Sequence, residues 1–99
     1  MSVKLVAIYD EPDDRSSFDA HYDKIHTPLA KAIPGLAELR VTRSNKKIMG
    51  SADVYLIAEM IFPDQAAFET AMSSNENKVA GADLANFAKG KVTLLVAEE

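Results

Sequence analysis

Short runs that sort into two strand faces mark both ends of this chain and its middle, and helical periodicity fills the intervals between them. "VKLVAIY", residues 3–9, is short, β-branched and aromatic, and the acidic, proline-containing "DEPDD" closes it, which predicts a strand. Leu5, Ala7 and Tyr9 take one face and Val6 and Ile8 the other, so both faces are expected to be covered. Residues 36–43 set Leu39 and Val41 against Glu38, Arg40 and Thr42, a strand with one polar side. "DVYLIAEMIF", residues 53–62, sets Val54, Leu56, Ala58, Met60 and Phe62 against Tyr55, Ile57, Glu59 and Ile61. "KVTLLVAEE" supplies the last strand, with Val92, Leu94 and Val96 against Thr93, Leu95 and Ala97.

Between the first two strands, Phe18, Tyr22, Ile25 and Leu29 recur at helical spacing and predict a helix over residues 17–33, with Ser16 or Ser17 capping its start. Pro34 and Gly35 stop it. Pro28 lies inside this span, where it lacks an amide donor and presses on the carbonyl of Lys24, so a kink or break is expected near residues 24–28. After the third strand, Pro63 or Asp64 opens a helix that buries Ala67, Phe68, Ala71 and Met72. A weaker helical stretch covers residues 78–87, interrupted by Gly81.

The order strand, helix, strand, strand, helix, short helix, strand is that of a split βαβ, ferredoxin-like α+β fold, with helices on one face of a four-stranded antiparallel sheet. Residues 1–99 are read as one domain, a size at which association often helps complete a core. A single helical layer leaves the other sheet face bare, and on either assignment that face is apolar. A second copy, packed sheet to sheet, would cover it.

Partners are narrowed by charge and composition. A net charge of −4 argues against a nucleic-acid surface, and the one basic cluster, "RSNKK" at residues 43–47, reads as a solvated loop. The absence of cysteine removes disulfides and thiolate chemistry. No apolar run approaches the roughly 18 residues that span a bilayer, and "MSVK" leads straight into a strand, so no membrane association is expected and the cytoplasm is the expected location. No glycine-rich phosphate loop, nucleophilic serine setting or calcium-loop spacing is present.

The segment "HYDKIHTPL", followed by "PGL" at residues 34–36, resembles the EthD family of the dimeric α/β-barrel superfamily, through His21, Tyr22, His26, Pro28, Leu29, Pro34, Gly35 and Leu36. "PDQAAFETAMSS" is similar to the family's second helix, so the likeness spans nearly the whole chain. The resemblance implies a homodimer whose sheets close into a barrel, with a small-molecule pocket in each protomer between sheet and helices or in the barrel lumen. Relatives of that fold include muconolactone isomerases, cofactor-free monooxygenases, haem enzymes and fungal pigment-pathway enzymes. Shared fold does not choose among them.

Within that frame His26 is the expected acid/base group or hydrogen-bond donor, since imidazole titrates near neutrality; the other reading makes it a structural clasp at the proline kink. His21, on the opposite flank of the helix, is expected at the surface or the dimer edge. Histidines five apart do not share an α-helical face, so no metal site is expected. Tyr9, Tyr22, Tyr55 and Glu59 are the candidate substrate-binding residues, with Tyr22 also a core residue and Glu59 alternatively paired with Arg40 across the sheet. No cofactor is expected. Together these readings describe a cofactor-free isomerase or monooxygenase acting on a small, oxygenated, partly apolar catabolic or secondary metabolite. The alternative is a non-catalytic ligand-binding or accessory module in a degradation pathway.

Overall fold

The computed structural model describes residues 1–99. Strands β1 (Val3–Asp10), β2 (Glu38–Arg43), β3 (Val54–Phe62) and β4 (Val92–Glu98) form one antiparallel sheet in the order β2-β3-β1-β4. That is the ferredoxin-like α+β topology expected from the alternation of periods. The later helices are α3 (Gln65–Met72) and α4 (Asn75–Phe87). α4 begins three residues earlier than its hydrophobic pattern predicts, because the Ser74 hydroxyl accepts the Asn77 amide at 3.1 Å and caps it.

The first helical segment differs most from expectation. It starts at Asp14, whose carboxylate accepts the Ser17 amide at 3.1 Å, and not at a serine. It then runs as α1 (Arg15–His21), a π-helical turn (Tyr22–His26) and α2 (Thr27–Lys31). Pro28 explains the turn. In a continuous α-helix Lys24 would need the amide that proline lacks, and the ring would press on that carbonyl. The wider turn, in which the Thr27 N–H donates to the Tyr22 carbonyl, absorbs both problems without breaking the rod.

Both possible orientations of the sheet were open in the sequence, and packing decides between them. Leu56, Ala58, Met60 and Phe62 of β3, with Val3, Ala7 and Tyr9 of β1, are buried beneath the helices. Val6, Ile8, Ile57, Ile61 and Leu95 therefore line the outer face with Lys4, Glu38, Arg40 and Glu59. Glu59 stands opposite Arg40 in register, yet its carboxylate binds Lys4 at 3.1 Å while Arg40 binds Glu38 at 2.7 Å. The expected Arg40–Glu59 pair is thus replaced by two others.

Between Tyr9 and Asp10 the β1–β3 register slips by one residue, and Tyr55 is the β3 residue left unmatched. Tyr55 leaves the outer set to which simple alternation assigns it. Its ring meets Phe18 edge-on at 5.4 Å, and its hydroxyl donates to Asp19 at 3.0 Å.

Candidate functional site

The π turn determines where the histidines go. On an α-helix, residues five apart lie about 140° from one another. A turn with one extra residue brings such positions back to the same side, and His21 and His26 both reach Asp83 of α4. His26 Nδ1 lies 3.0 Å from Asp83 Oδ2, and His21 Nε2 lies 2.9 and 3.0 Å from the two carboxylate oxygens. Asn86, one turn further along α4, donates its side-chain amide to Oδ1 at 3.0 Å. Phe87 packs against both imidazoles, with ring centroids 4.7 Å from His21 and 4.9 Å from His26. His21 is consequently part of the network and not the free surface residue its α-helical position suggests.

Asp83 is 6% exposed and His26 7%. Burial alone would raise the Asp83 pKa, but the bonds from Asn86, His21 and His26 outweigh it and hold the carboxyl below its ordinary value. Burial dominates at His26 and lowers its pKa, with Asp83 opposing. A neutral imidazole facing an ionised carboxylate through Nδ1 must carry its one proton on Nδ1. Nε2 is left as a lone pair, the form a general base or hydrogen-bond acceptor needs.

That ring borders a cavity of about 160 Å³ between the sheet and the helices. Its walls are mostly apolar, among them Leu5, Ala7, Ala30, Ile33, Met60 and Leu84, and its polar members are Tyr9, His26 and Asn77. Tyr9 is 1% exposed and its hydroxyl has no partner within the chain, yet no fully enclosed side-chain polar atom is left unsatisfied. Tyr9 borders the cavity, and burial raises the pKa of its hydroxyl well beyond the usual phenol range, which keeps it a hydrogen-bond donor. The size is comparable with the roughly 150 Å³ apolar cavity that accepts one benzene.

Of the candidate residues, the structure brings Tyr9 and His26 together on this cavity. Tyr22 stacks on Phe18 in the core, 5.8 Å from the His26 ring, and burial raises its hydroxyl to about 12. Tyr55 is engaged by Asp19 at the edge of the sheet, and Glu59 lies on the outer face. Neither lines this cavity. Asp83 was not anticipated at all. The signal for it was present: an aspartate one helical step from Ala80 and Phe87, on the stripe of α4 that is otherwise apolar. No three His, Asp or Glu side chains are placed to hold a metal ion.

A model of the EthD domain matches residues 11–91. The chain belongs to the EthD family. A crystal structure of an EthD family protein from Bacillus halodurans C-125 is 41% identical, with a TM-score of 0.93 over 100% of this chain and 99% of that one. SnoaB, a cofactor-independent oxygenase from Streptomyces nogalater, shares the fold at 14% identity, with a TM-score of 0.71 over 99% of this chain and 92% of SnoaB. A dimeric ferredoxin-like protein of unknown function from Jannaschia sp. CCS1 shares it at 19% identity and a TM-score of 0.71, each chain covered to 100%. No helix of this EthD protein is long and apolar enough to cross a membrane.

The two depressed pKa values make the site acid-sensitive. Between the folded value of His26 and the ordinary 6.5, the unfolded chain binds a proton that the folded one does not, so stability falls as the pH drops through that window. Asp83 contributes fully above the ordinary 3.8 and loses its contribution as the pH falls through its lower folded value. Urea midpoints measured from about pH 8 downward are expected to hold level and then decline below about 6.5. In His26→Gln the first part of that decline flattens; an equal decline in both proteins would place the sensitive group elsewhere.

Proposed function

We propose that this EthD protein is a homodimer that binds a small, oxygenated, partly apolar molecule in the cavity between sheet and helices, and that His26 acts there on a proton without a cofactor. The supporting observation is the buried Asp83–His26 pair at 3.0 Å beside a mostly apolar cavity that both His26 and Tyr9 border. A ligand oxygen bearing an acidic hydrogen can donate to Nε2. A second oxygen, or the charge that develops as the proton leaves, can accept from Tyr9. Asp83 then stabilises the imidazolium that forms, and apolar walls strengthen both interactions by excluding water. Such a site suits proton removal from a phenol or from carbon beside a carbonyl, the opening step of an isomerisation or of a cofactor-independent oxygenation. The family membership and a fold shared with a cofactor-independent oxygenase agree with this reading.

The test is thermal unfolding of wild type and His26→Gln against small lactones, phenols, quinones and their carboxylates. A ligand that binds the native state at about 100 times its Kd adds about 2.7 kcal/mol and raises the midpoint by several degrees. One class is expected to raise the wild-type midpoint, with the response reduced at least tenfold in affinity in His26→Gln. Equal response in both proteins would make His26 a clasp of the helix and not a group that meets the ligand.

A further inference from the structure

On α4 the cavity is lined by Asn77, Ala80, Gly81 and Leu84, which recur at the spacing of a single helical face. Gly81 is the anomaly among them. Glycine is a poor helix former, and in the middle of a 13-residue helix it normally needs a backbone or packing reason. Neither exists here. Its φ is not positive, and a Cβ built on it would meet nothing within 4 Å. No neighbouring element packs so closely that a side chain is excluded. The space a side chain would enter is open, and Gly81 is exposed while bordering the cavity, as is Leu94 of β4, 48% exposed.

We infer that Gly81 forms the mouth of the His26 cavity and sets the size of the molecule admitted, its missing side chain leaving room for a ligand longer than one ring to extend outward between α4 and β4. This inference rests on the proposed cavity function. A cavity of about 160 Å³ accommodates one six-membered ring with its polar end at His26 and Tyr9. A second fused ring must then lie at the opening, over Gly81. Alanine there narrows the opening by a methyl group, and leucine closes it.

Phenol and 2-naphthol, titrated by calorimetry into wild type, Gly81→Ala and Gly81→Leu, test this, with the His26 ring resonances followed in parallel and unfolding midpoints recorded. Wild type is expected to bind both and to shift the His26 signals. Gly81→Ala should unfold several degrees higher, through its better helix propensity, while binding phenol within threefold of wild type and 2-naphthol at least tenfold more weakly. Gly81→Leu should lose 2-naphthol and weaken phenol at least tenfold. Unchanged affinities for both phenols in a folded Gly81→Leu protein would overturn the gate and leave the cavity reading standing. Failure of wild type to take up either phenol, with no movement of the His26 signals, would overturn the cavity reading and the gate with it.

Discussion

Asp83→Asn is expected to lower the unfolding midpoint by more than about 10 °C and to move the His26 proton from Nδ1 to Nε2. Three donors converge on the Asp83 carboxylate: His21 Nε2, His26 Nδ1 and the Asn86 amide. An asparagine of nearly the same shape offers one oxygen and an amide that is itself a donor, so at least one of the three must face a donor. Hydrogen bonds to a charged group are worth about 1.5–3 kcal/mol apiece, and a buried donor left unmatched costs about 1–3 more, so a loss near 3 kcal/mol is the expected scale. The total stability of such a domain is only about 5–15 kcal/mol. His26 has an escape open to an imidazole: by changing tautomer it can accept from the asparagine amide through Nδ1, but Nε2 then carries the hydrogen and can no longer accept a proton. Nitrogen-15 spectra of the imidazoles distinguish the two tautomers directly. A variant that keeps both the wild-type tautomer and a midpoint within about 2 °C would show that Asp83 is not what orients His26.

The strand and helix order was legible because each element carries its own period, and the ferredoxin-like topology follows from that order. Pro28 also gave fair warning of a disturbed helix. The consequence of that disturbance was harder to read: a proline can kink, break or widen a helix, and only widening rotates His21 and His26 onto the same partner. On an unbroken α-helix they diverge, which points His21 to the surface or the dimer edge. Asp83 was missed for a different reason. Its role depends on a contact 57 residues from His26, and one acidic residue in a weakly periodic helix looks like solvated charge until its neighbours are known. Strand alternation places Glu59 on the outer face, where it lies, whereas the register slip turns Tyr55 back toward Phe18.

The outer face of the sheet carries the second large effect, and it concerns the proposed dimer. Ile57 and Ile8 are cross-strand partners near one end of that face, flanked by Thr42 and Thr93, and Val6, Leu95 and Ile61 continue the apolar surface between the charged pairs. A contiguous surface of this kind is rarely left to water. If two copies meet through it, sheets pack about 10 Å apart and the two isoleucines are buried between them. Ile57→Glu would then bury two unpartnered carboxylates per dimer, each with a desolvation penalty of several kcal/mol, and no cation of the face is adjacent to residue 57 in register. Dimer affinity is expected to fall at least a thousandfold, about 4 kcal/mol, and the mass in solution to drop from twice 10.8 kDa to 10.8 kDa. In the separated protomer the new carboxylate faces water, so the sheet and the core beneath it should persist, with an unchanged far-ultraviolet spectrum. Sedimentation equilibrium across micromolar concentrations measures both masses. A dimer that survives Ile57→Glu would place the interface away from this face and leave its apolar surface to another partner.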